Sequence, residues 1–171
     1  MTRQNVPYQQ ILTDAIIPAF RELPTRMDTP EARVMMLAIG AQESRLTARV
    51  QKPLRAGMPP GPARGLWQFE RGGGVKGVRT HRASSRIAAN VLAARGIPPT
   101  DRDAWGALAT DDVLAAIFAR LLLWTDSRPL PRIGEQDEAW DCYIRNWRPG
   151  KPHARTWPAL YHGAVQTITG A

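Results

Sequence analysis

Cysteine is almost absent from this chain: Cys142 is the single one in 171 residues. One thiol closes no intrachain disulfide and completes no multi-cysteine zinc site. Histidine is nearly as scarce. His81, His153 and His162 show no ligand spacing with one another or with Cys142, so neither a metal nor a cofactor is expected. Long apolar runs are missing too. Nothing approaches the roughly 18 uninterrupted apolar residues that a membrane span needs. The apolar stretch from Ile11 to Phe20 is broken by Asp14 and Pro18 and does not read as a secretion signal. The expectation is synthesis in the cytoplasm without a signal peptide.

Acid is lacking from one particular region. Between Arg45 and Gly96 there are eleven basic residues and a single acid, Glu70. The remainder holds twelve bases and fourteen acids, so the net charge of +8 belongs to that middle segment. A concentrated positive field suits a polyanionic partner, through steering and counterion release. The candidates are nucleic acid and an anionic cell-wall or membrane surface. A solvated basic face without a partner is the plain alternative.

What is present is an ordinary globular balance, 43% hydrophobic and 22% charged. It is enough for one domain with a real core and excludes wholesale disorder. Ile11, Leu12, Ala15, Ile16, Ala19, Phe20 and Leu23 recur at helical spacing, with Pro18 expected to kink or divide the helix. Asp28-Thr29-Pro30-Glu31 is a helix start. The helix that follows carries Val34, Leu37, Ala38 and Ala41 and should end near Leu46. Glycines and prolines then argue against long helices over 47–82. Within that segment, Gly65-Leu66-Trp67-Gln68-Phe69-Glu70 alternates like a short strand, and Gly72-Gly73-Gly74 reads as a flexible hairpin tip. Further helices are expected from Ala83 to Arg95, from the Thr110-Asp111-Asp112 cap to about Trp124, from Gly134 to Trp147, and over about 154–169. The fold class is mainly α, a helical domain with one short β-hairpin or extended segment.

Glu43 is the residue that does not belong. It occupies the last turn of an apolar helix, where the partial negative charge of the helix end opposes a carboxylate. That field and the apolar neighbours should raise its pKa, as a general acid requires. A surface glutamate at a frayed helix end is the alternative.

Ile39-Gly40-Ala41-Gln42-Glu43-Ser44-Arg45-Leu46 resembles the Glu-Ser helix end of soluble lytic transglycosylases and goose-type lysozymes. Gly65-Leu66-Trp67-Gln68-Phe69 stands where that family has a Gly-Leu-Met-Gln-Ile type strand. Asp112 to Trp124 is similar to its long apolar helix, and Tyr143-Ile144-Arg145-Asn146-Trp147-Arg148-Pro149-Gly150 looks like a variant of its Tyr-Asn-Ala-Gly-Pro-Gly element. The resemblance covers roughly residues 30–150 of a single lysozyme-like domain. Tyr143 and Asn146 are two residues apart here, whereas the family has them adjacent.

The resemblance implies cleavage of the β-1,4 bond between N-acetylmuramic acid and N-acetylglucosamine in a peptidoglycan glycan strand, with Glu43 as the acid. It implies action in the periplasm or cell wall, and the compact length resembles phage lysis or virion-associated proteins. Hydrolysis and lytic transglycosylation both remain open. Glu70 is the candidate water-activating base of a hydrolase; pairing with a nearby arginine is the alternative. Ser44, Gln68, Trp67, Tyr143 and Asn146 are the candidate substrate-binding residues. Gln68 either meets sugar or satisfies the hairpin backbone. Trp67, like Trp147, either stacks on a sugar face or sits in the core. Tyr143 and Asn146 share a helix face, and one of them should point into the cleft. The competing expectation is a non-catalytic virion or DNA-binding protein using the basic 45–95 segment.

Overall fold

The computed structural model describes residues 5–171. Its architecture is mainly α with one two-stranded antiparallel hairpin. Two helices make the centre. α3 (Pro30–Ser44) is buried through its middle, from Val34 to Ala41, and α7 (Asp112–Trp124) is buried from Leu114 to Leu123. Over these stretches both are apolar on every side apart from Arg120 of α7, the pattern of a helix enclosed by others rather than lying on a surface. α9 (Trp157–Thr169) packs along α3, and the N-terminal helix packs on α7 and α9.

Local chemistry sets the starts. Thr29 Oγ1 accepts the Ala32 amide at 3.1 Å, with Pro30 in the first turn of α3. Asp111 accepts the Leu114 amide at 2.9 Å and starts α7. The N-terminal helix is divided, as its proline suggested. α1 (Tyr8–Ile11) and α2 (Ile17–Arg21) flank a π-helical turn, Leu12–Ile16, and Pro18 is the second residue of α2. A proline cannot donate the regular bond, and the wider turn takes up the mismatch.

The middle segment departs most from its sequence reading. β1 (Ala63–Arg64) and β2 (Phe69–Glu70) pair, Ala63 with Glu70 and Arg64 with Phe69, and Val50 adds a single bridge to Arg64. Gly65 to Gln68 is a tight turn, not a strand arm. Gly65 and Gln68 both take left-handed backbone, and Leu66 and Trp67 are consecutive and both fully buried, unlike the one-face alternation of a half-buried strand. The three glycines are not a hairpin tip either. Arg71–Val75 is a π-helical turn that runs into α4 (Lys76–Thr80). A Cβ on Gly74 would stand 2.6 Å from the Phe69 ring, so the glycine lets this turn lie against the core. α5 (Ser85–Ala94) and α8 (Gln136–Trp147) begin two residues later than expected. α6 (Asp101–Ala107), capped by Thr100, is additional.

The basic segment is partly neutralised from outside. Arg49 pairs with Asp112, Arg79 with Asp101, and Arg95 with both Asp111 and Glu22. The acids absent from 45–96 therefore arrive from the starts of α6 and α7 and from the N-terminal region. No helix among the described residues is long and apolar enough to cross a membrane.

Candidate active site

The end of α3 and the 65–68 turn are pressed together. Gly40 makes this possible: a Cβ there would stand 2.3 Å from Leu46 Cδ2 and 3.0 Å from the Trp67 indole nitrogen. Through that opening Trp67 Nε1 donates to the Met36 carbonyl at 2.8 Å. Ser44 Oγ donates to the Leu66 carbonyl at 2.6 Å. Trp147 Nε1 donates to the Trp67 carbonyl at 3.0 Å, and the Gly65 carbonyl accepts both the amide and the side chain of Gln68 at 2.9 Å. Every carbonyl of the turn up to Trp67 has a donor, as a buried turn requires. Among the described residues, three of the four non-glycine positions with left-handed backbone lie at this junction: Arg45, Leu46 and Gln68. Each costs on the order of 1 kcal/mol or more, and such strain concentrates at functional sites.

Glu43 sits half-buried at the mouth of this junction. The Tyr143 hydroxyl donates to its Oε1 at 2.5 Å. Oε2 has no partner among the described residues, yet it is not sealed from solvent. Burial pushes the Glu43 carboxyl up to about 7, the Tyr143 hydrogen bond acts in the opposite direction, and the charge of Glu70 adds to the rise. Tyr143 is itself buried, and burial together with the adjacent carboxylate keeps its hydroxyl protonated far above neutral pH. It is therefore a permanent donor. An aromatic stack holds it in place: its ring lies 5.4 Å from that of Trp157, nearly parallel at 6°, with Trp140 against both.

Glu70 is exposed at the end of β2 and forms no ion pair among the described residues, despite the surrounding arginines. Its charge reaches Glu43. Glu70 belongs to β2, whereas Gln68 belongs to the preceding turn, so the two do not alternate along one strand. A cavity of about 600 Å³ opens beside the helix end, lined by Gln42, Arg45 and residues 152–156; Glu43 is not in its lining. Gln42 ties this wall to α3, donating to the His153 carbonyl at 3.0 Å and accepting from Thr156.

Several expected substrate contacts are corrected. Trp67 is fully buried and its indole N–H is spent on Met36, so it offers no face to a sugar. Asn146 turns away from Glu43. Its amide donates to Asp126 Oδ2 at 2.9 Å and to the Cys142 carbonyl at 2.8 Å. Of the pair on α8, Tyr143 is the residue that reaches the carboxyl. Ser44 and the Gln68 amide nitrogen serve the backbone of the turn, leaving the Gln68 carbonyl oxygen free of protein partners among the described residues. Trp147 packs against Phe69 at 5.9 Å between ring centres. Cys142 is buried, and burial pushes its thiol up to about 11, which leaves no thiolate nucleophile at neutral pH. Gly40, Trp140 and Trp157 went unremarked in the sequence as parts of the site. A glycine inside an apolar helix was the available signal for the first; nothing local marked the other two.

No family model, curated protein or solved structure matches this chain.

Proposed function

We propose that this protein is a muramidase that cuts the glycan strand of peptidoglycan, with Glu43 as its general acid. The observation that carries the reading is the Glu43 carboxyl itself. It is pushed up to about 7, holds a permanent donor on one oxygen and leaves the other without a partner among the described residues. At neutral pH about half of such groups keep their proton, against roughly one in 300 for an ordinary glutamate. Because Tyr143 donates to Oε1, the acidic proton resides on Oε2, the oxygen a substrate can approach.

In this mechanism Oε2 delivers its proton to the glycosidic oxygen as the muramic C1–O bond breaks and oxocarbenium character develops at C1. The Tyr143 hydrogen bond, strongest to the charged carboxylate, stabilises the group as it loses its proton. Two endings are chemically complete. In transglycosylation the muramic 6-hydroxyl returns its proton to Glu43, and its oxygen bonds to C1 in an anhydro ring. In hydrolysis a carboxylate activates a water for attack on C1, and Glu70, whose charge acts on Glu43 and which has no ion pair among the described residues, is the candidate for that task. The loop between α3 and β1 supports a wall substrate. It exposes Leu54 (91%) and Met58 alongside Lys52 and Arg55, a mixture suited to an anionic surface with apolar features.

Incubation of the purified protein with peptidoglycan sacculi, followed by mass spectrometry of the released fragments, tests the proposal. Anhydro-muramic ends indicate transglycosylation and reducing ends hydrolysis. Intact sacculi, together with salt-dependent binding of duplex DNA, would favour a nucleic-acid role for the basic segment instead.

A further inference from the structure

A buried arginine without an ion pair marks a second site. Arg120, on α7, is 2% exposed. Its Nε donates to the Met27 carbonyl at 2.8 Å, and its Nη1 is buried with no partner among the described residues. The carboxylate whose charge acts on it is Asp28, and both oxygens of Asp28 are taken by Arg33 at 2.8 Å. Burial pushes the Arg120 guanidinium down to about 10, which leaves it charged at neutral pH. An uncompensated buried charge is costly, and proteins keep one where a counter-charge arrives from elsewhere.

Arg120 lines a cavity of about 440 Å³, within the usual range of roughly 300–1,000 Å³ for small-molecule sites. Glu43, Glu70 and Tyr143 take no part in it. Leu123, Trp124, Pro129 and Leu130 supply its apolar lining. The rest carries charge of mostly one sign. Asp126 is already engaged by Arg145 and Asn146, and Arg132 by Glu135. That leaves Arg26, Arg120 and Arg128 against Glu31 alone, and none of the three arginines has an ion-pair partner among the described residues. The guanidinium groups of Arg26 and Arg120 lie 5.6 and 5.1 Å from the centre of the Trp124 ring.

We propose that this cavity binds a small organic anion, an oxyanion group on an apolar body, with the Nη edge of Arg120 as its anchor and Trp124 and Leu130 as its apolar wall. With Nε occupied by Met27, the remaining guanidinium edge suits the two oxygens of a carboxylate or phosphate. The ligand supplies the charge that the fold leaves out. The site stands independently of the muramidase reading.

The test titrates the full chain with 3-phenylpropionate and phenyl phosphate, with benzyl alcohol and inorganic phosphate as controls. The Trp124 indole N–H signal is followed by NMR, with the enclosed Trp67 as an internal reference. At least one organic anion should bind saturably at one site, about tenfold or more tighter than either control, and raise the melting temperature. The tighter of the two identifies the oxyanion. Arg120→Met should abolish binding. If that variant fails to fold, exposed Arg128→Glu should weaken binding several-fold while leaving the circular dichroism unchanged. No saturation by either anion up to about 10 mM would overturn the proposal. So would equal binding of inorganic phosphate, or binding indifferent to Arg128→Glu.

Discussion

The Tyr143 hydroxyl and Glu43 Oε1 meet at 2.5 Å across 100 positions of sequence, joining α8 to the end of α3. Tyr143→Phe removes the only hydrogen bond made to that carboxyl among the described residues. Since the bond favours the charged form, the pKa of Glu43 should rise above about 7 in the variant. A carboxyl-carbon NMR titration reads this without requiring activity. The same variant should lose wall-cleaving rate, with the alkaline limb of its pH profile moved upward. An unchanged Glu43 titration would mean that Tyr143 is a packing residue only.

Glu43 also makes stability depend on pH. Its folded-state pKa, about 7, lies above its ordinary value of 4.5, so the folded chain holds this proton more tightly than the unfolded chain. The contribution is fully present below about pH 4.5 and is lost as pH rises through 7. Glu43→Gln removes the ionisation but retains an acceptor for Tyr143. Urea denaturation should find the variant more stable than the wild type at pH 8, on the order of 1–3 kcal/mol after allowance for solvent at the open oxygen. The difference should vanish at pH 4. An equal deficit at both pH values would place Glu43 in an unperturbed setting.

Glu70→Gln removes a negative charge that raises the Glu43 pKa, so that pKa should fall. The alkaline limb of activity then moves to lower pH. The variant also separates the two chemical endings, because anhydro products need no second carboxylate whereas hydrolysis through Glu70 stops.

Gly40→Ala places a methyl group 2.3 Å from Leu46 Cδ2 and 3.0 Å from the Trp67 indole nitrogen. The junction of α3 with the 65–68 turn must then open. A loss of about 1–3 kcal/mol is expected in chemical denaturation, with a changed Trp67 environment in the near-ultraviolet circular dichroism. A variant as stable as the wild type would show that this contact is not tightly packed.

Strong local signals were readable in the sequence. The Thr29-Pro30 and Asp111 starts, the apolar α7, the divided N-terminal helix and the C-terminal helix all follow from capping and periodicity. The anomaly of Glu43 was readable too, although burial rather than the helix end is the main cause of its raised pKa. The 65–74 region was not. Leu66 and Trp67 are both buried because tertiary bonds from Ser44, Met36 and Trp147 hold a turn that local alternation cannot reveal. Gly72 to Gly74 matched a loop by composition but fold into a π-helical turn against Phe69. Choosing between Tyr143 and Asn146 needed the position of Asp126, a long-range fact with no local sequence signature.

The most direct test of the central claim is the release of soluble fragments from purified sacculi by the wild type and by Glu43→Gln, at matched concentration and with matched circular dichroism. A working general acid predicts release by the wild type and a loss of two orders of magnitude or more, about 10²–10⁴-fold, in the variant. Equal release by the two proteins would contradict the assignment of Glu43.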